Sequence, residues 1–280
     1  MKNRIFQVLP ALLGLALVAL VQSLRAGLPQ PMCVFYGQAC DGYGQPYRTN
    51  AEVILRHGTN EIARQVIGGS LTPGVNFALY VHLDDGRTAS PYSARALRSG
   101  DLVSIVVRDA DGEKTIMEKQ AVPPVGQPGE LVLINATAAD DSDHDGLPDQ
   151  WEYELIAWSG GALQTLADVR SEDDFDEDGM TNFQEYRAGT FAFLTEDSLR
   201  IDLLCITPAQ RLQLVFLSVP GKIYRPMRAT DLSQSTWEPC AFALSDSGSF
   251  QLTPAEGDGD WFSIYVDVNE AAQFFRLEAR

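Results

Sequence analysis

A mainly β chain is predicted: two β-sandwiches, a short helical module carrying two acidic loops between them, and an apolar signal helix at the N-terminus. Three observations predict it. Short runs of strand-forming residues recur between Gly, Pro, Asn and Asp turns on both sides of the middle of the chain. One acidic twelve-residue pattern occurs twice in that middle, each copy leading into an apolar-faced helical stretch. The first 26 residues are basic, then apolar, then small, which is the order of a secretory signal.

That opening segment has Lys2 and Arg4 at its start and an apolar run from Ile5 to Val21, broken by Gln7, Pro10 and Gly14. Ser23 and Ala26 are small residues suited to precede a cleavage point. A retained membrane anchor is the alternative, but seventeen residues is the short limit for a span. Gln30-Pro31-Met32 before Cys33 lacks the residues for lipid attachment. The expectation is export, to the medium, the cell surface or the periplasm. The membrane would be met only through an uncleaved signal.

Residues 33–138 are expected to form the first sandwich. Strand-like runs are Cys33–Ala39, Ala51–Arg56, Glu61–Ile67, Asn76–Leu83, Leu102–Arg108, Thr115–Glu118 and Leu131–Asn135. Turn signals separate them at His57-Gly58, Asp84-Asp85-Gly86 and Asp109-Ala110-Asp111-Gly112. The last of these lacks the later ligands of a metal loop and is expected to be a hairpin turn. From Gly37 to Val53, a strand, a Gly-Pro turn (Gly44-Gln45-Pro46) and a second strand starting at Ala51 resemble the opening of carboxypeptidase-regulatory-like and transthyretin-like domains. That resemblance implies an Ig/transthyretin-like sandwich and no chemistry.

Residues 139–192 hold the repeated pattern. Asp141, Asp143, Asp145, Asp149 and Glu152 occupy positions 1, 3, 5, 9 and 12 of the first copy. Asp174, Asp176, Asp178, Asn182 and Glu185 do so in the second, 33 residues on. Gly146 and Gly179 stand at position 6, where a sharp turn disfavours a Cβ. Position 7 supplies a backbone carbonyl, so its side chains are free to be Leu147 and Met180. This spacing suits a calcium ion, which takes six to eight hard oxygens at about 2.3–2.6 Å and favours a bidentate carboxylate at position 12. One partial match would be an ordinary solvated acidic loop; two full matches point to two Ca2+ sites.

Paired calcium hands usually place a helix before each loop. Here Leu131–Asn135 precedes the first loop and reads as a strand, so each unit is a loop followed by a helix. Pro148 lacks the N–H that pairs two hands and instead suits the first residue of a helix. That helix is expected to reach Trp158 and stop at Gly160-Gly161, burying Trp151, Leu155 and Trp158. A second, from about Thr181 to Ala188, has capping-box spacing between Thr181 and Gln184, Gly189 past its end, and Phe183 and Tyr186 as apolar contacts.

These residues carry a more specific resemblance. Gly146-Leu147-Pro148-Asp149, Trp151-Glu152 and Asn182-Phe183-Gln184-Glu185-Tyr186-Arg187-Ala188-Gly189-Thr190 are similar to the thrombospondin type 3 repeat-like calcium modules of bacterial exported proteins. Met180 stands where leucine is usual. The resemblance implies structural calcium. Dockerins also pair two loop–helix units, but usually close each loop with aspartate where Glu152 and Glu185 stand here.

Residues 198–280 are expected to form the second sandwich, from strand-like runs at Leu199–Ile206, Arg211–Leu217, Ile223–Ala229, Cys240–Leu244, Ser249–Leu252, Trp261–Val266 and Phe274–Glu278. Pro220-Gly221-Lys222-Ile223-Tyr224, Trp237 and Phe274-Phe275-Arg276-Leu277 are similar to small fibronectin-like domains that follow such modules. Four cysteines fit an oxidising compartment without proving disulfides. Cys33 and Cys40 lie too far apart on one strand unless the chain bends at Gly37, whereas Cys205 and Cys240, on separate strands, are the better pair. Free thiols are the alternative.

Charge and missing motifs narrow the function. The chain carries 38 acidic and 21 basic residues, a net charge of −17. Loss of the signal removes Lys2, Arg4 and Arg25 and leaves −20. Residues 140–185 hold fifteen acidic side chains against Arg170 alone. Nucleic acid, which needs a basic surface, is excluded as a partner. No zinc, nucleophile-elbow or phosphate-loop motif occurs, and the three histidines (His57, His82, His144) are scattered. The expectation is no enzyme, but a structural or adhesive protein facing an extracellular protein or polysaccharide. The alternatives are a dockerin-like docking module and a non-catalytic carbohydrate-binding accessory.

Overall fold

The computed structural model describes residues 27–233, 236–268 and 274–280, so the expected signal helix at 1–26 lies outside the described residues. The fold is mainly β. The N-terminal strands are β1 (Pro29–Gly37), β2 (Ala39–Cys40), β3 (Glu52–His57), β4 (Asn60–Val66), β5 (Phe77–Asp84), β6 (Ser104–Asp109), β7 (Gly112–Thr115), β8 (Leu131–Leu133) and β9 (Ala136–Thr137). They make a three-stranded sheet in the order β5-β1-β8 and a four-stranded sheet in the order β4-β3-β6-β7, with β2 paired to β9.

Side-chain alternation explains the packing. Along β5, Phe77, Leu79, Val81 and Leu83 are buried while Tyr80 and His82 face out, the period-two pattern of a half-buried strand. Phe35 and Phe77 from one sheet meet Val53, Leu55, Ile105 and Val107 from the other in one fully buried core. The hairpin expected at Asp109–Gly112 is present: Asp109 pairs with Gly112, and its carboxylate accepts the Asp111 N–H at 2.9 Å.

The run Thr115–Glu118, expected as a strand, is not one. β7 ends at Thr115 and Met117–Gln120 forms a 3-10 turn. Glu118 turns back to accept both the N–H of Thr137 (2.9 Å) and its hydroxyl (2.8 Å), which curls the chain out of the ladder.

The middle carries two α-helices, α1 (Asp149–Trp158) and α2 (Asn182–Ala188). Pro148 is the N-cap of α1 rather than its first residue, with φ −73° and ψ 135°. Thr181 and Gln184 make the expected capping box, and Gly189 ends α2 in the left-handed region at φ 79°. Leu147, Trp151, Leu155, Val169, Tyr186 and Ala192 form a separate small core. Trp158 corrects the sequence reading: it is 66% exposed, because α1 turns its last residue past that core. Its ring edge still touches Phe191, centroids 5.7 Å apart.

C-terminal strands are β10 (Leu203–Ile206), β11 (Arg211–Leu217), β12 (Ile223–Ala229), β13 (Glu238–Pro239), β14 (Phe242–Ala243), β15 (Ala255–Glu256), β16 (Trp261–Asp267) and β17 (Phe274–Ala279). One sheet runs β10-β11-β16-β14; in the other β12 pairs with β13, β15 and β17. A third core lies between them, built on Leu214, Phe216, Tyr224, Phe242, Ile264 and Val266. The first expected strand starts late, at Leu203; the N–H of Leu199 is given instead to Met180 Sδ at 3.2 Å. Ser249–Leu252 holds only the bridge of Gln251 to Phe242, with Phe250 and Leu252 exposed. Cys205 and Cys240 are not joined: all four cysteines are free, and the Cys205 thiol faces Gln213.

Candidate metal centre

Both acidic loops fold in the same way, and the folding follows from their side chains. Asp141 Oδ2 accepts the N–H of Gly146 at 3.2 Å, and Asp174 Oδ2 accepts that of Gly179 at 3.0 Å. Asp145 and Asp178 each accept the N–H two residues on, from Leu147 (2.8 Å) and Met180 (2.7 Å). Such local bonds are what short acidic side chains offer a turning backbone. Each loop is closed at its base: the N–H of Asp149 reaches the carbonyl of Asp140 (3.0 Å), and that of Asn182 the carbonyl of Asp173 (2.7 Å).

The glycines at position 6 sit at φ 96° (Gly146) and 98° (Gly179), as the turn requires. The sequence did not mark position 4, yet His144 and Glu177 also stand in the left-handed region, at φ 66° and 60°. Two further participants carry no motif signal. Ser171 donates its N–H to Asp145 Oδ2 at 2.7 Å and so ties the second unit to the first loop. Ser142 gives its N–H (2.7 Å) and hydroxyl (2.6 Å) to the two oxygens of Asp149.

The expected ligands come together to different degrees. Asp141, Asp143 and Asp145 bring one carboxylate oxygen each within 4.8 Å of one another, as do Asp174, Asp176 and Asp178. Glu152 and Glu185 are fully buried, and all four of their carboxylate oxygens lack a hydrogen-bond partner. In the second loop Asp174 Oδ1, Asp176 Oδ2, Asp178 Oδ2 and Asn182 Oδ1 are likewise buried and unpartnered. Asp149 stands outside the first triplet, and both its oxygens serve Ser142. Leu147 is fully buried in the small core, while the Met180 side chain faces Leu199.

Electrostatics tell the same story. Burial, reinforced by Asp143, Asp145, Asp149 and Asp141, pushes the Glu152 carboxyl up to about 8. Burial together with Asp176, Asp178 and Asp174 does the same to Glu185. Buried carboxylates without a partner cost several kcal/mol each, and the usual remedies are protonation or a cation. Nine buried side-chain polar atoms lack a partner among the described residues, and eight of them belong to expected ligands. The ninth, Thr190 Oγ1, lies just past α2.

The donor set fits calcium. It is all oxygen, it mixes carboxylates with an amide, and it closes with a glutamate free to bind through both oxygens. The first loop would hold an ion through Asp141, Asp143, Asp145 and Glu152, the second through Asp174, Asp176, Asp178, Asn182 and Glu185. A bound Ca2+ would supply the positive charge that both clusters lack.

Beside the first loop lies an open cleft of about 790 Å³, lined by Tyr43, Lys114, Asp140, Asp149, Tyr153 and Glu154 among others. No helix among the described residues is long and apolar enough to cross a membrane. No family model matches the chain, and neither a curated protein nor a solved structure matches it.

Proposed function

We propose that this is an exported calcium-binding protein of structural or adhesive type, in which two Ca2+ ions order the connector between two β-domains. The N-terminal domain would be Ig/transthyretin-like, the C-terminal one fibronectin-like, and the middle a thrombospondin type 3 repeat-like module. The observation that carries the reading is the set of eight buried, unpartnered ligand oxygens at the calcium-loop positions. A folded chain does not bury that much uncompensated acceptor capacity for stability alone.

Calcium here acts on shape rather than on chemistry. Extracellular modules bind it at about 0.1–1 mM. At millimolar calcium each such site gains roughly 0.4–1.4 kcal/mol, enough to order a connector and too little to hold a whole domain. The test is a calcium titration of the metal-stripped chain by calorimetry with small-angle scattering. Two sites with compaction support the reading; no uptake up to about 10 mM, well above that extracellular range, sinks it.

One observation favours a second reading, a docking module for a protein or polysaccharide. Tyr153 and Trp158 stand 59% and 66% exposed on α1, and Tyr153 lines the open cleft. Calcium-dependent capture of one specific partner, lost in Tyr153→Ala, would select it.

A further inference from the structure

Lys222 is 3% exposed, and among the described residues no carboxylate lies within ion-pair distance of it. Its ammonium is instead seated at the end of α2. Nζ donates to the carbonyl of Tyr186 at 3.0 Å and lies 5.6 Å from the centroid of the Tyr186 ring. The last carbonyls of a helix are its negative end and have no partner within the helix, so the seat exists only while α2 is formed and correctly aimed.

The surroundings leave little room for another arrangement. A methyl group at Gly189 would come within 2.9 Å of Lys222 Cε, and one at Gly44 within 3.1 Å of Nζ and 3.0 Å of the Tyr186 ring. Three stretches far apart in sequence therefore meet at this one ammonium: the turn at Gly44, the end of α2, and the turn before β12. A cavity of about 230 Å³ opens beside it, lined also by Cys40, Glu118, Arg187 and Arg280.

Glu185 is the residue immediately before Tyr186. It is the expected position-12 ligand, fully buried, with both carboxylate oxygens unpartnered. An ion gripped by Glu185 fixes the turn of α2 on which the next carbonyl stands. The N–H groups of Gly189 (2.7 Å) and Thr190 (3.1 Å) also bond to the Glu185 carbonyl, so the helix end and its exit are built on this residue.

We propose that Lys222 is a latch through which an ion in the second loop fixes the C-terminal sheets against the rest of the molecule. The proposal rests on the calcium reading above and adds which of the two loops does the work and through which contact. Coupling of this kind is reciprocal: if calcium strengthens the latch, the latch strengthens calcium binding by the same factor. The first loop reaches Lys222 less directly, through the edge-on contact of Trp151 with the Tyr186 ring, centroids 5.9 Å apart. Glu185 is joined to Tyr186 by one peptide bond, so the second loop is the one expected to dominate the coupling.

The test uses the full chain. Glu152→Gln silences the first loop, and calcium binding to the second is measured with and without Lys222→Met, which keeps the aliphatic stem. The latch predicts a loss of affinity of about fivefold or more, the lower end of ordinary coupling. It also predicts that calcium no longer compacts the chain in small-angle scattering, although the site still fills. Unchanged affinity together with unchanged compaction would overturn it.

A second measurement needs no variant. Calcium should slow amide exchange in the turn Val219–Tyr224, which is more than 30 residues from the nearest ligand in sequence. Protection confined to the two loops would also overturn the latch. Absence of calcium uptake by the unaltered chain would instead remove the reading on which it rests, so the two failures are distinguishable.

Discussion

The two acidic loops share a pattern and a backbone but not a state of readiness. In the first, Asp141 and Asp145 spend both carboxylate oxygens on backbone N–H groups, and Asp149 gives both of its own to Ser142. Only Glu152 is left buried and unpartnered. In the second, one oxygen from each of Asp174, Asp176 and Asp178, the Asn182 amide oxygen and both Glu185 oxygens are buried without partners. The second loop is thus the more dehydrated and better preorganised, and preorganisation reduces what binding must spend on ordering. Two copies of one motif need not be two copies of one site.

The sharpest way to break the comparison is to remove the closing carboxylate from each loop in turn. Even outer-shell partners of a metal site are worth 10–100-fold in affinity, so a direct bidentate ligand should exceed the top of that range. Glu185→Gln is expected to weaken the second site by about 100-fold or more and to abolish calcium-driven compaction. Glu152→Gln should weaken the first site and leave most of the compaction. Calorimetry on both variants checks this; equal loss of compaction in the two would erase the distinction between the loops.

pH offers the next largest effect. The Glu152 and Glu185 carboxyls sit near 8 in the metal-free fold against an ordinary value of 4.5, chiefly through burial. Because the folded values are raised, the metal-free fold holds protons that the unfolded chain would release. The support these two groups give it is complete below about pH 4.5 and is lost as pH rises to about 8. Calcium needs the ionised form, so binding releases about one proton per site. Affinity should then climb by about tenfold per pH unit between pH 5.5 and 7.5, with the metal-free melting temperature falling over the same interval. A flat affinity across that interval would show that these carboxylates are not the ligands.

How much of this was legible in the sequence follows from how local each signal is. The two Asp triplets, the capping box of Thr181 and Gln184, and the stop at Gly189 depend on neighbours within a few residues, and the structure draws each of them together as spacing predicts. Strand cores such as β5 were readable for the same reason, through period-two burial. What escaped depends on distant contacts. Glu118 leaves a strand pattern because Thr137 takes its carboxylate; Leu199 does so because Met180 takes its N–H. Trp158 follows the helical stripe, yet no core extends beneath it. Cys205 and Cys240 sit on strands of plausible position, but the thiol of Cys205 faces Gln213. Ser171 could not have been found by motif, since it acts through a backbone N–H that any residue but proline carries, and Ser142 adds its hydroxyl from loop position 2, which the calcium pattern leaves free.

Position 9 sharpens the comparison at a smaller scale. Asn182 presents a buried, unpartnered Oδ1 while its Nδ2 donates to the Arg170 carbonyl at 2.7 Å. Asn182→Ala loses a ligand oxygen and a hydrogen bond, each worth on the order of 1 kcal/mol, so a roughly tenfold or greater weakening of the second site is expected. Asp149→Ala loses a carboxylate already committed to Ser142 and should weaken the first site only a few-fold. Matching losses in the two alanine variants would mean that Asp149 turns to the ion when calcium arrives.

The smallest effect concerns position 4, where the loops are alike. His144 and Glu177 hold φ near 60°, a region that costs a side-chain-bearing residue roughly 1 kcal/mol relative to glycine. Glycine removes that strain but also gives the unfolded chain more freedom to lose. The two contributions oppose each other, so His144→Gly and Glu177→Gly should each move stability by less than about 1 kcal/mol. Glu177→Gly also removes a negative charge beside the loop with more buried, unpartnered oxygens, and this should tip it toward stabilisation in the metal-free state. His144→Gly removes instead the ring whose Nδ1 lies 2.8 Å from the Asp141 carbonyl, a contact that steadies the first loop, and this should tip it toward destabilisation. Opposite shifts in metal-free melting temperature would show that the strain is shared while its surroundings are not; shifts of one sign would mean that backbone strain alone governs both turns.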